Sequence, residues 1–262
     1  MKKIALYLLA GTVLLGCGGD DSDSNSTTNP NPNPDPTQTV TLMPGFYEGT
    51  DDEDELLYGL VDDDRKLWIT YIEILQPSGD ENLAGFMKTN ESVLLNNDKF
   101  TALGKNYSYD GSNSRSSSDI TITGNYKASA ISGTFFEQPS NPISYNLKFD
   151  TSAFKKHTFT QIDNKTFTGP LNVTSSTGTT AATLIFTNNG SFTGSDSQGC
   201  TITGKFTPAA SGRYYISTVV FGQINCAAAG ETLTGVSILD DSDDNLALSA
   251  TNNTGRGMFF GS

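Results

Sequence analysis

Nucleophilic catalysis needs a hydroxyl or thiol beside an activating base, so a search for chemistry starts at the imidazoles. His157 is the only one in the chain, set in Lys155-Lys156-His157-Thr158. No serine occupies a Gly-x-Ser-x-Gly elbow, and no glycine-rich phosphate loop is present. The setting reads as a solvated link between domains, which makes His157 a link residue rather than a base. Paired carboxylates could serve glycoside hydrolysis, but 29 Asp plus Glu make such pairs inevitable and no spacing selects one. Three acidic clusters have the composition of calcium sites: Asp51 to Glu55, Asp62 to Asp64, and Asp240-Asp241-Ser242-Asp243-Asp244-Asn245. Calcium takes six to eight oxygens from a chain that wraps it. The third cluster lacks the glycine and distant glutamate of an EF-hand loop, and a polar turn accounts for it. No catalytic, cofactor-binding or metal-ligating residue is therefore assigned, and no cofactor is expected. The remaining reactive groups are three thiols, Cys17, Cys200 and Cys226.

The elements that would position these groups are strands. Glycine, serine, threonine and asparagine are abundant, aromatics make up 10%, and no sustained helical period follows Gly45. In the first half, strands are expected at Gly45–Gly49, Leu56–Val61, Lys66–Ile72, Leu83–Lys88, Lys99–Leu103 and Asn106–Asp110. After a flexible tip at Gly111–Ser118 come Asp119–Tyr126, Gly133–Phe136 and Ser144–Phe149. The second half offers eight candidates between Lys165 and Phe260, and Asn189-Gly190 between two of them is a strong hairpin signal. Short consecutive turns favour up-and-down barrels closed on themselves, since closure removes exposed edges. Two-sheet sandwiches are the alternative.

The chain is thus expected to be all-β, with two small antiparallel barrel-like domains in tandem, one over 44–155 and one over 160–262. Thr121-Ile122-Thr123-Gly124 aligns with Thr201-Ile202-Thr203-Gly204, and Ser132-Gly133 with Ser211-Gly212, as an internal repeat would. Trp68 and neighbouring aromatics would either form a ligand mouth or fill a narrow barrel interior.

The N-terminus carries a separate message. Lys2 and Lys3 precede an apolar run from Ile4 to Leu15, too short for a membrane span of about 20 residues. It fits a secretory signal. Leu14-Leu15-Gly16-Cys17 then resembles the lipobox of bacterial lipoproteins. That resemblance implies a signal peptide over 1–16 and an acylated Cys17 anchoring the chain in the membrane. Gly18, where an aspartate would retain the protein at the inner membrane, implies the outer one. Residues 17–43 continue as a Ser/Asp-rich and then Asn-Pro-rich linker with almost nothing to bury, so disorder is expected. Its reach is roughly 30 Å as a coil and about 80 Å fully stretched.

If Cys17 is acylated, Cys200 and Cys226 remain as an even pair in an oxidising compartment, and the resemblance implies a disulfide between them. A redox pair or half a metal site finds little support, because there is no Cys-x-x-Cys and one histidine. The formal charge of −13, lowered by two more when Lys2 and Lys3 leave with the signal, argues against nucleic acid or anionic lipid as a partner. The layout is similar to outer-membrane lipoproteins with tandem small β-barrel domains. In architecture, and in endings such as Phe259-Phe260-Gly261, it is also similar to barrel modules of surface lipoproteins that capture host iron-carrier proteins. The function expected is non-enzymatic: a binding or structural module of the envelope, with an envelope or host protein as partner. An inhibitor or accessory subunit of an envelope enzyme, or a carboxylate-dependent hydrolase, are the alternatives.

Overall fold

The computed structural model describes residues 41–75, 80–109, 115–137, 141–151, 156–174, 176, 178–240 and 245–262. The expected signal peptide, Cys17, the expected linker up to residue 40 and Asp241–Asp244 lie outside the described residues.

Two closed antiparallel barrels follow one another, each an up-and-down ring of eight strands. Barrel 1 comprises β1 (Gly45–Asp51), β2 (Leu56–Val61), β3 (Leu67–Leu75), β4 (Asp80–Thr89), β5 (Lys99–Tyr109), β6 (Arg115–Lys127), β7 (Ala130–Glu137) and β8 (Ile143–Phe149). It closes by pairing β1 with β8, from Tyr47 opposite Phe149 to Asp51 opposite Tyr145. Barrel 2 comprises β9 (Thr166–Val173), β10 (Thr180–Phe186), β11 (Ser191–Asp196), β12 (Thr201–Pro208), β13 (Tyr215–Phe221), β14 (Thr232–Asp240), β15 (Asn245–Thr251) and β16 (Gly257–Gly261). It closes by pairing β16 with β9, where Phe259 faces Asn172. Ring closure decides against the sandwich.

Alternation sets which residues fill each ring. On β13, Tyr215, Ser217, Val219 and Phe221 are buried inside, while Ile216, Thr218 and Val220 point out. The base of barrel 2 is packed with rings, including Phe186, Phe192, Phe206 and Tyr215. A one-turn helix, α1 (Phe159–Ile162), seals that base with fully buried Ile162. Leu42 and Val93 close the base of barrel 1, where Thr41 bridges to Leu94. The Asn189-Gly190 hairpin joins β10 to β11 as expected, with both residues at positive φ (63° and 69°). Their N–H groups donate to the Asp163 carboxylate at 3.3 and 3.0 Å.

Three local expectations are corrected. Lys99–Leu103 and the segment beginning at Asn106 are one strand, β5, paired with β6 from Lys99–Asn125 to Tyr109–Arg115. Gly104, which reads as a break, is there for close approach: a Cβ would lie 2.4 Å from the Lys88 carbonyl oxygen. Arg115–Ser118, part of the expected flexible tip, belong to β6. The Thr-Ile-Thr-Gly segments fall on the sixth strand of barrel 1 and the fourth of barrel 2, and Gly133 lies in a strand while Gly212 lies in a turn. The match instead marks one local device. Gly124 sits opposite Phe100 and Gly204 opposite Phe192, and each ring lies where a Cβ would be, within 2.6 Å. An aromatic covering a cross-strand glycine pins register wherever it occurs.

The barrels form one compact unit, Thr39–Ser262. A third apolar cluster joins them, built from outward-facing residues of both: Leu60, Trp68, Phe86 and Tyr107 against Tyr214, Val236 and Phe259. Phe86 is its centre, stacked on Tyr107 at 4.7 Å and Trp68 at 6.1 Å and edge-on to Phe259 at 6.3 Å. At the base of this seam, the Asp63 N–H donates to the Tyr214 hydroxyl at 3.1 Å. There too the Ser211 N–H donates to the Asp63 carboxylate at 3.1 Å, and the Arg213 guanidinium donates to the Pro44 carbonyl. Near the top, the Ser117 hydroxyl donates to the Gly255 carbonyl at 3.1 Å. Base therefore meets base, and the barrels stand side by side in the same sense.

Candidate functional site

His157 is not a solvated link residue. It is 3% exposed, with its ring edge-on to Tyr215 at 4.8 Å and near Phe46 at 6.5 Å. Its Nε2 accepts the Leu239 N–H at 3.1 Å, so that nitrogen carries no proton and its lone pair is committed. His157 is buried because Phe46 of barrel 1 covers it from the side opposite Tyr215.

The described acidic clusters serve turns and the seam. Asp51 Oδ1 accepts the N–H groups of Glu53 and Glu55, both at 2.9 Å, which shapes the β1–β2 turn. Asp62 accepts the Lys66 N–H at 2.8 Å and the Trp68 indole N–H at 2.9 Å. Burial raises its carboxyl above the usual aspartate range, against the pull of those two hydrogen bonds. Asp63 crosses to barrel 2 as above. Among the described residues, no three His, Cys, Asp or Glu side chains are gathered where they could hold a metal ion.

Trp68 lines neither a mouth nor an interior; it lies outside barrel 1, in the seam. Lys88 sits over its ring at 4.5 Å and reaches the Thr251 hydroxyl at 3.5 Å. Burial, and then the charge of Lys66, lower the Lys88 amine below the usual lysine range. Burial also pushes the Tyr214 hydroxyl up to about 12, with Asp62, Asp63 and Asp64 adding to the rise. The signal for this seam lies in runs that do not alternate. Gly59-Leu60-Val61 and Gly257-Met258-Phe259-Phe260 are buried on both faces, as only strands covered on both sides can be.

An open feature among the described residues is the top of barrel 2. A cavity of about 820 Å³ lies there, between the β9–β10, β11–β12 and β13–β14 connections. Leu171, Val173 and Phe221 form its floor, with Thr179, Thr180, Asp196, Gln198, Asn225 and Ala227 around it. Below the floor the barrel holds no space for water, so the cavity is a cup rather than a channel. Cys200 and Cys226 form a disulfide on one side of this cup, with Cα atoms 4.7 Å apart, as the cysteine count implied. On the other side Arg256 bonds Glu231 at 2.8 Å and the Thr174 carbonyl at 2.9 Å, tying three top connections together. Asp196 Oδ1 accepts the N–H groups of Gln198 and Cys200, both at 2.9 Å. Nothing in the sequence distinguished Asp196, Gln198 and Asn225 from ordinary turn residues.

Set against known proteins, the chain matches no family model, no curated sequence and no solved structure.

Proposed function

We propose that this chain is a lipid-anchored protein of the bacterial outer membrane that presents a fused pair of barrels for non-enzymatic binding. The observation that carries the reading is the common sense of the two barrels. The chain runs into barrel 1 at its base, through Thr41 and Leu42, and the cup of barrel 2 opens at the far end. A tether attached at the base would therefore hold the cup away from the membrane. The Cys200–Cys226 disulfide supports an oxidising compartment outside the cytoplasm. The sole imidazole, spent on a backbone N–H in the seam, supports a non-enzymatic role. The anchor rests on Leu14-Leu15-Gly16-Cys17. The test is metabolic labelling with palmitate in cells making the wild-type chain or Cys17→Ala. Label and membrane fractionation are expected for the wild type, and loss of both for the mutant. Label retained by Cys17→Ala would remove the anchor, and the reading with it.

A further inference from the structure

We infer that the cup at the top of barrel 2 is a binding site for a neutral saccharide of one or two rings. Its volume, about 820 Å³, is in the range of small-molecule sites rather than surface dimples. Its chemistry is selective. Among the described residues no lysine or arginine lines it and Asp196 is the one carboxylate, in a chain of formal charge −13. An anionic ligand would meet repulsion and find no counter-charge.

The free polar groups suit hydroxyls. Asp196 spends Oδ1 on its own turn, and Oδ2 makes no hydrogen bond among the described residues. The side-chain amides of Gln198 and Asn225 are exposed and likewise make none there. Together they offer a carboxylate oxygen as acceptor and two groups that both donate and accept, which is what a ring of vicinal hydroxyls needs. Beneath them Leu171, Val173 and Phe221 give an apolar floor for the C–H face of a sugar ring. The absence of water-sized space below that floor excludes a long acyl chain threaded down the barrel axis. The disulfide and the Arg256–Glu231 pair hold Cys200, Cys226, Glu231 and Arg256 in place beside the cup, which lowers the ordering left to be done on binding.

This site is independent of the lipid anchor, and its test leaves Cys17 untouched. The whole chain, purified without sugar-headed detergents, is titrated calorimetrically with a panel of neutral mono- and disaccharides and with glucuronate and sialic acid. Saturable heat is expected from neutral members of the panel and not from the two anions. Ala227→Trp fills the cup from an exposed position and should abolish the heat without shifting the melting temperature. Asp196→Asn keeps the turn acceptor but removes the charge, and should weaken binding by about tenfold or more, the scale of a lost hydrogen bond to a charged group. No saturable heat from any neutral sugar, equal binding of the anions, or binding that survives Ala227→Trp would each overturn the assignment. None of these outcomes would touch the palmitate result.

Discussion

Tyr47, Tyr71, Tyr107, Tyr145 and Tyr214 are held away from water with their hydroxyls engaged. Tyr47 donates to the Met43 carbonyl at 2.6 Å, Tyr71 to Asn106 at 3.0 Å and Tyr145 to the Thr123 carbonyl at 3.0 Å. Burial raises all of these phenols above the ordinary value of 10.0. The unfolded chain would therefore lose these protons first as pH rises. The stability that the neutral phenols contribute is whole below pH 10.0 and falls as pH climbs from there towards the folded values. Lys88 acts in the opposite sense: with its amine lowered, its charging cost is relieved as pH rises towards 10.5. Above that the tyrosines dominate by number. We expect the phenolate absorbance of these buried tyrosines to appear in one step, together with loss of the β circular dichroism. Titration of every tyrosine in the chain with the β signal intact would refute this account.

At the level of elements, the disulfide links the start of β12 to the β13–β14 connection across a sequence separation of 26. Reduction should cost about 3.5 kcal/mol by the chain-entropy estimate for a loop of this size. A urea midpoint unchanged by reductant would show that the bridge constrains little. The pairing was legible because the lipobox resemblance, by setting Cys17 aside, leaves two cysteines. Most strands were legible as well, since one face of each is polar and alternation survives in β12 and β13. Legibility failed where a residue answers to a neighbour distant in sequence. Gly104 looks like a break because the Lys88 carbonyl that needs its bare Cα is on another strand. His157 looks solvated because its covers, Phe46 and Tyr215, come from different barrels. The cup escaped notice for a related reason: Asp196 and Asn225 are turn-formers by type, and only three connections brought together make them a rim.

At the scale of the whole molecule, the seam makes two rings into one body. Trp68 is the only tryptophan and lies within the seam, so its emission reports the joint directly. In the wild type, emission and circular dichroism should change together on unfolding. Phe259→Ala removes the ring that meets Phe86 edge-on, and should cost about 3–5 kcal/mol and part the two signals. Coincident curves in that mutant would mean that the barrels are coupled elsewhere. The strand that carries Phe259 has a further bearing on how the molecule is made. β16 is the last strand in chain order, yet its inner face completes the wall of barrel 2 and its outer face meets barrel 1. A chain synthesised in that order can close barrel 1 early, but must keep β9 and β15 unpaired along one side until β16 arrives. The aromatic patch around Phe86 stays exposed over the same interval. The nascent protein thus passes through a sticky, half-built stage whose length is set by the distance from β8 to β16. A chaperone that shields open strand edges would act in that interval.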